Sequence, residues 1–129
     1  MIDDDARCPC GTGETYAACC GRLHAGRPAP TAEALMRSRF SAFAAGDAAH
    51  LLATWHPSTR PASLELDPAL SWCRLEVHGT SGGGPFDAEG RVDFTAHHRD
   101  GTGRRGAQRE SSRFLRENGR WFYVDGALG

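Results

Sequence analysis

The segment ESSRFLRENGRWFYVDG, residues 110–126, decides the fold of this chain. At its centre, Asn118 and Gly119 form the strongest hairpin signal in the sequence, because both residue types accept the positive φ angles of a two-residue turn. Apolar and aromatic residues alternate with polar residues on each side of the turn, which is the periodicity of a strand. The segment therefore predicts two antiparallel strands, over residues 107–117 and 120–126.

Two further strands are predicted before this hairpin. Residues 71–79 and 91–99 show the same alternation, and turn-rich loops at 81–90 and 100–106 separate the strands along the chain. The four strands are expected to form an antiparallel meander. Cys73 lies at an apolar position of the first strand and is predicted to be a buried, unreactive thiol.

The residues that precede the sheet have helical periodicity. Apolar side chains recur at three- and four-residue spacing over residues 32–45, where Thr31 is the predicted N-cap and Arg39 is placed off the apolar face. A second helix is predicted over residues 48–55 and is ended by Pro57. Helices followed by an antiparallel sheet make the predicted fold class α+β.

Composition limits the class of protein. The 129 residues are 40% hydrophobic and carry a formal net charge of −1. No segment approaches the ~18 consecutive apolar residues of a membrane span, and the acidic start MIDDD is unlike a secretory signal. The near-neutral charge argues against general attraction to nucleic acid. We therefore expect a cytoplasmic protein without a membrane or nucleic-acid partner, in a compartment where disulfides are disfavoured.

Four of the five cysteines lie in the segment CPCGTGETYAACC, with the spacing C-x-C-x8-C-C: Cys8, Cys10, Cys19 and Cys20. Two close pairs of thiolates joined by a short loop can supply the tetrahedral site that zinc prefers. Gly11 and Gly13 allow a sharp turn between the pairs, and a short helix is predicted over residues 14–20. His24 lies one helical turn beyond Cys20 and is the alternative fourth ligand.

The cysteine segment resembles the SEC-C motif, the zinc-binding motif at the C-terminus of the SecA translocation motor. The motif has the form C-x-C-x-[ST]-G, a short spacer and then C-C or C-H, and this chain has Thr12 where serine is commoner. The resemblance implies structural Zn²⁺ held by Cys8, Cys10, Cys19 and Cys20. In SecA the similar motif contacts a protein-export chaperone and the ribosome, so protein partners of this kind are expected by analogy.

A longer resemblance covers nearly the whole chain. The segments LMRSRFSAFAAGDAAHLLATWHPSTRP, VDFTAHHRDG and ESSRFLRENGRWFYVDG, behind the cysteine motif, resemble the YchJ-like family of bacterial proteins. That family joins a SEC-C motif to a nuclear transport factor 2-like (NTF2-like, or cystatin-like) domain. The resemblance implies a small zinc knuckle at residues 1–27 and, at residues 28–129, a cone of helices against a curved antiparallel sheet. It implies no particular reaction.

Cone-shaped domains of this kind can enclose a pocket, and four polar residues are candidates to line it: Glu110, His98, Tyr123 and Asp125. Tyr123 and Asp125 are predicted to share a face of the last strand. Glu110 is alternatively expected to form a structural ion pair with Arg39 or Arg113. We expect a non-catalytic protein-interaction or ligand-binding module, with dimerisation as one use of the sheet. The alternative is a small-molecule isomerase or hydrolase with a carboxylate base.

Overall fold

The computed structural model describes residues 2–128 of the chain. Within that range the polypeptide forms three helices followed by a single four-stranded sheet, which confirms the predicted α+β class. The elements are α1 (Cys20–His24), α2 (Ala32–Ala45), α3 (Ala48–Ala53), β1 (Ser71–Gly82), β2 (Glu89–Arg99), β3 (Arg105–Glu117) and β4 (Arg120–Leu128).

The sheet is an antiparallel meander in which each strand pairs with the next along the chain. The turn between β3 and β4 places Asn118 at φ 53° and Gly119 at φ 77°. Both central residues therefore adopt the left-handed conformation that a tight hairpin requires, as the sequence predicts.

Helix α2 has the predicted bounds because both of its ends are capped. The Thr31 hydroxyl accepts a hydrogen bond from the Ala34 amide at 3.1 Å, and Gly46 ends the helix at φ 73°. Asp47 then caps α3 by accepting from the His50 amide at 3.0 Å.

Helix α3 is two residues shorter than predicted. The Tyr123 amide donates to the Thr54 carbonyl at 2.8 Å, and the His56 amide donates to the Tyr123 carbonyl at 2.7 Å. The backbone after Ala53 thus pairs with β4, as the parallel bridge between Trp55 and Tyr123 also shows.

The short N-terminal helix was predicted in the wrong place. It occupies Cys20–His24 and not residues 14–20. The reason is that the preceding residues pair with the start of the chain: the Tyr16 amide donates to the Ala6 carbonyl at 2.8 Å, and the Cys8 amide donates to the Glu14 carbonyl at 2.9 Å. Those backbone groups are not available for helical bonds.

A β-bulge in β1 reverses the predicted position of Cys73. Trp72 pairs with His98 and Arg74 pairs with His97, so Cys73 is an extra residue between two paired positions. Trp72 consequently turns toward the helices, and Cys73 is exposed. The prediction of a buried thiol is wrong because strict alternation does not hold across a bulge.

A further bulge, in β4, separates Tyr123 from Asp125. Phe114 pairs with Tyr123 and Arg113 pairs with Asp125, which leaves Val124 as the extra residue. Tyr123 therefore faces the helices, whereas Asp125 lies on the outer face, bonded to Arg113 at 3.0 Å. The prediction that Tyr123 and Asp125 share a face is wrong for this reason.

The core lies between α2 and the inner face of the sheet, and it extends to the cysteine segment. Helix α2 contacts α1, α3 and three strands. Its buried apolar residues pack with the buried residues of the sheet and with three cysteines in one cluster, whose larger members include Leu35, Met36, Phe40, Val92, Phe94, Phe114 and Trp121. None of the helices in the described part of the chain has the length and apolar character needed to cross a membrane.

The start of α2 packs closely against two glycines at the edge of β1 and β2. The Ala32 amide donates to the Gly83 carbonyl at 3.0 Å, and Gly90 lies beneath the same loop. A Cβ atom at Gly90 would lie 2.5 Å from the Gly83 Cα and 3.2 Å from the Ala32 Cβ. Because the nearest atom belongs to the backbone, it cannot move aside as a side chain would.

We therefore expect Gly90→Ala to lower the free energy of unfolding by about 1–3 kcal/mol. Gly79→Ala on β1 is the matched control, because no atom lies within 4 Å of its Cβ position. Urea unfolding followed by tryptophan fluorescence measures both variants. Equal unfolding midpoints for the two variants would contradict this account of the packing.

Candidate functional site

The four cysteines of the N-terminal segment come together in space. Their sulfur atoms all lie within 4.8 Å of one another, with 3.6 Å between the sulfurs of Cys10 and Cys19 and 4.0 Å between those of Cys19 and Cys20. A tetrahedral metal with bonds of about 2.3 Å to sulfur separates its ligands by about 3.8 Å. All five cysteines are free thiols. The donor set and the spacing therefore fit a closed tetrahedral metal site.

The loop between the two cysteine pairs positions the sulfur atoms. Gly11 (φ 85°) and Gly13 (φ 89°) supply the two left-handed residues of the turn. Between them, the Thr12 hydroxyl lies 3.7 Å from the Cys10 sulfur and 3.2 Å from the Cys19 sulfur. Thr12 therefore places its hydroxyl against two of the sulfur atoms.

Helix α2 supplies contacts to the cluster that the sequence analysis missed. The Ser41 hydroxyl lies 3.5 Å from the Cys8 sulfur in a buried contact, and Arg37 donates to the Cys10 carbonyl at 2.7 Å. Ser38 and Ser41 are both fully buried. The sequence signal for these contacts is the presence of two serines within the apolar pattern of α2, because buried hydroxyls need hydrogen-bond partners.

The ionisation of Cys8 and Cys20 in the cluster depends on the neighbouring cysteines. The hydrogen bond with Cys10 is the main cause that lowers the pKa of Cys8, and the hydrogen bond with Cys10 is also the main cause that raises the pKa of Cys20. These opposite shifts mean that neighbouring sulfurs share protons and do not all ionise. A divalent cation would permit four thiolates by neutralising part of their charge.

Two arginines flank the cluster, as the sequence indicates. Arg7 donates to the Gly13 carbonyl, and Arg22 donates to the Cys19 carbonyl at 3.5 Å. Both arginines are exposed. Their positive charges lie beside the cysteine loop and their side chains hold its backbone.

His24, the alternative fourth ligand, has both ring nitrogens engaged elsewhere. Its Nε2 lies 2.8 Å from the Ser38 carbonyl, and its Nδ1 lies 2.6 Å from the Tyr16 hydroxyl. Since a carbonyl only accepts, Nε2 carries the proton and Nδ1 accepts from Tyr16 in the neutral ring. The geometry therefore favours Cys20 over His24 beside the other three sulfurs.

His50 continues this contact between the cysteine segment and the helices. Its ring lies 4.5 Å from the ring of His24, and its Nε2 lies 3.0 Å from the Ser38 hydroxyl. Burial is the main cause that lowers the pKa of His50 from 6.5 to about 4, and the nearby His24 contributes to the same shift. His50 is therefore neutral in the folded protein at neutral pH.

The folded protein is expected to lose stability as the pH falls from about 6.5 to about 4, because the unfolded chain then binds a proton at His50 that the folded chain excludes. His50→Gln should reduce the decrease in unfolding free energy between about pH 7 and pH 5. His78→Gln is the control, because His78 is exposed on β1. The same pH dependence in both variants would contradict the assignment to His50.

A cavity of about 220 Å³ lies on the other side of α2, between the helix and the inner face of the sheet. Its wall is mostly apolar and aromatic, and it includes Phe40, Phe43, Trp55, Trp72 and Phe94. Two charged residues also line it, Arg39 from α2 and Glu110 from β3.

The prediction that Arg39 lies off the apolar face of α2 is wrong, because its side chain lies in the core with 3% of the residue exposed. Its Nη1 donates to the Leu51 carbonyl and to the Thr54 hydroxyl, each at 2.8 Å. The guanidinium carbon lies 4.4 Å from the Tyr123 ring centre and 5.2 Å from that of Trp55. Burial lowers the pKa of Arg39 to about 10, so the side chain is charged at neutral pH.

Glu110 and Tyr123 meet on the opposite wall of the cavity. The Tyr123 hydroxyl donates to Glu110 Oε1 at 3.3 Å, and the Ser112 hydroxyl donates to the same oxygen at 3.4 Å. Burial, followed by the charge of Glu110, raises the pKa of Tyr123 to about 12. Among the described residues Glu110 forms no ion pair, so the expected pairing with Arg39 or Arg113 does not occur.

The other two pocket candidates lie outside the cavity. His98 packs against Trp72, with 4.9 Å between ring centres, and its ring covers Gly106 on β3. Trp72 lines the cavity in its place. Asp125 pairs with Arg113 on the exposed face. The structure thus brings together Glu110 and Tyr123 and adds Arg39.

Comparison with known proteins agrees with both parts of the structure. The model of the "YchJ, middle NTF2-like domain" matches residues 31–126, and the SEC-C motif matches residues 6–22. A UPF0225 protein of Corynebacterium efficiens is 61% identical over 94% of this chain and 92% of its own length. A UPF0225 protein of Chromobacterium violaceum is 55% identical over 95% of this chain and 93% of its own length.

Two solved structures share the fold. The solution structure of a SEC-C motif containing protein from Rhodopseudomonas palustris has a TM-score of 0.83 and 35% identity, with 95% of this chain and 98% of that chain covered. The crystal structure of a SEC-C motif containing protein from Psychrobacter arcticus has a TM-score of 0.78 and 25% identity, with 100% and 86% covered. The chain therefore belongs to the UPF0225 family, with an N-terminal SEC-C motif followed by a YchJ-type NTF2-like domain.

Proposed function

We propose that this protein is a non-catalytic small-molecule-binding protein in which a structural zinc site fixes the position of the helix that lines the binding cavity. The observation that carries the proposal is the burial of the cysteine cluster. Cys8, Cys10 and Cys20 are 4%, 0% and 2% exposed and belong to the same packed core as α2. A site placed in this way acts as a cross-link in the fold.

The choice of zinc follows from the donor chemistry. Four thiolates in a closed tetrahedron are the usual ligands of structural zinc, and they leave no open coordination position for water or substrate. Bound zinc would supply a stable link between the two cysteine pairs and would hold the thiolates in their ionised form. The residues that would hold it are Cys8, Cys10, Cys19 and Cys20.

Helix α2 connects the metal site to the cavity. Ser41 and Arg37 contact the cysteine loop, and Arg39 and Phe43 line the cavity one turn away or less. Loss of the metal should therefore loosen the helix that forms one wall of the cavity.

Metal analysis tests the zinc site. We expect about one zinc per chain in the wild type, loss of zinc in Cys20→Ser, and retention in His24→Gln and in the exposed-thiol control Cys73→Ser. The reason is that only Cys20 contributes a sulfur to the cluster among these three residues. Elemental analysis of the purified, reduced proteins measures the metal content.

A cobalt-loaded wild type gives a readout that does not depend on the folding of Cys20→Ser. We expect the visible absorption of tetrahedral Co²⁺ bound by thiolates. Zinc that is retained in Cys20→Ser but lost in His24→Gln, or a wild type that binds no metal, would overturn the proposed site.

A protein-interaction role is the second candidate function, and the exposed side of the cysteine segment favours it. Arg7, Glu14 and Arg22 are all exposed, as a recognition surface requires. The similarity of the motif to that of SecA points to an export chaperone or the ribosome as the kind of partner, by analogy. Pull-down of purified partners with the Arg7→Glu/Arg22→Glu double variant tests this role separately from the cavity.

An isomerase or hydrolase remains the catalytic alternative, for which Glu110 is the specific observation. The carboxylate lies in an apolar cavity without an ion-pair partner among the described residues, as a general base would. Asp125, the second carboxylate considered from sequence, is exposed and paired with Arg113. Glu110 would therefore have to act without it.

A further inference from the structure

We propose that the cavity binds a small zwitterion with an apolar body, the class to which apolar α-amino acids belong, with its carboxylate on Arg39 and its ammonium group on Glu110. This inference rests on the proposed binding function and specifies its ligand.

The guanidinium of Arg39 has donors to spare inside the cavity. Its two hydrogen bonds, to Leu51 and Thr54, both use Nη1. In the described part of the chain, Nε and Nη2 have no hydrogen-bond acceptor, and no carboxylate lies within ion-pair distance of the side chain. A buried cation that lacks an anionic partner is costly. A ligand carboxylate would satisfy these donors in the bidentate geometry that guanidinium favours.

Glu110 offers the complementary acceptors. Both of its hydrogen bonds, from Tyr123 and Ser112, reach Oε1 and are long, at 3.3 and 3.4 Å. Oε2 has no protein donor in the described structure. An ammonium group has three donors and could bond this oxygen.

The two charges are held apart by one aromatic ring. Arg39 lies over the face of Tyr123, whereas Glu110 bonds to the hydroxyl at the edge of the same ring. A ligand that is only an anion would place a negative charge near Glu110, and a ligand that is only a cation would place a positive charge near Arg39. A zwitterion satisfies both groups and keeps the cavity electrically neutral.

The rest of the cavity limits the size and polarity of the ligand. Its wall is dominated by the rings of Phe40, Phe43, Trp55, Trp72 and Phe94. The volume of about 220 Å³ is below the roughly 300–1,000 Å³ of sites for drug-sized ligands. One hydrophobic or aromatic side chain together with an amino-acid head group matches this combination.

Three probes that share a phenyl ring test the inference on the zinc-loaded full chain: L-phenylalanine, 3-phenylpropionate and 2-phenylethylamine. We expect L-phenylalanine to bind about tenfold more tightly than either singly charged compound, because each of those leaves one charged group of the cavity without a partner. Titrations followed by ¹H–¹⁵N spectra, with the indole signals of Trp55 and Trp72 as reporters, measure the affinities.

Variants of the two charged residues should change which of the three probes binds most tightly. Glu110→Gln is expected to favour 3-phenylpropionate over phenylalanine, and Arg39→Gln is expected to favour 2-phenylethylamine. Asp125→Asn, a carboxylate change on the outer face of the sheet, should leave the order unchanged. A reversal of preference cannot arise from misfolding, which weakens all three probes alike.

The inference is overturned if 3-phenylpropionate or 2-phenylethylamine binds the wild type as tightly as phenylalanine, or if the variants keep the wild-type order. It is also overturned if none of the three shifts the tryptophan signals at about 10 mM. Indole is added as a neutral probe to separate the two proposals. Binding of indole alone would contradict the zwitterionic ligand but agree with the proposed small-molecule-binding function. If no compound binds, both proposals are contradicted.

Discussion

The packing of α2 is the constraint on which the rest of the structure depends. On one side, Ser41 contacts the sulfur of Cys8 inside the core; on the other, Arg39 and Phe43 line the cavity. Helix α2 is covered on two sides and buries Ser38, Arg39 and Ser41 together with its apolar residues, and each buried polar group needs a partner. The cysteine loop, α3 and the sheet supply those partners. The cysteine cluster and the cavity consequently lie on two sides of one packed helix.

The parts of the fold that the sequence predicts well depend on local signals. The bounds of α2 follow from Thr31 and Gly46, and the last hairpin follows from Asn118-Gly119, because caps and turns act within a few residues. The β-bulges at Cys73 and Val124 have no such signal. An alternating pattern shows that a strand exists but does not mark an inserted residue, whose position depends on pairing with another strand.

The cysteine cluster and the cavity also differ in how far each can be predicted from the sequence. The cysteine cluster was accessible from sequence because its donors lie within one short segment. The cavity combines residues from distant elements, so its composition depends on tertiary packing. The burial of Arg39 is defined by Tyr123 on β4 and Trp55 after α3, and neither contact leaves a trace in the periodicity of α2. Glu110 was identified because it shares a strand face with Phe114 next to the hairpin.

The two charged residues of the cavity, Arg39 and Glu110, do not form an ion pair with each other. Arg39 is stabilised by two oxygen acceptors and two aromatic faces, which lower the cost of its burial without neutralising it. Tyr123 contacts both Arg39 and Glu110 and keeps them apart. A direct Arg39–Glu110 bond would leave neither charged group available to a ligand. Holding the two groups apart in a mostly apolar wall would preorganise the cavity for the small polar-headed ligand proposed above.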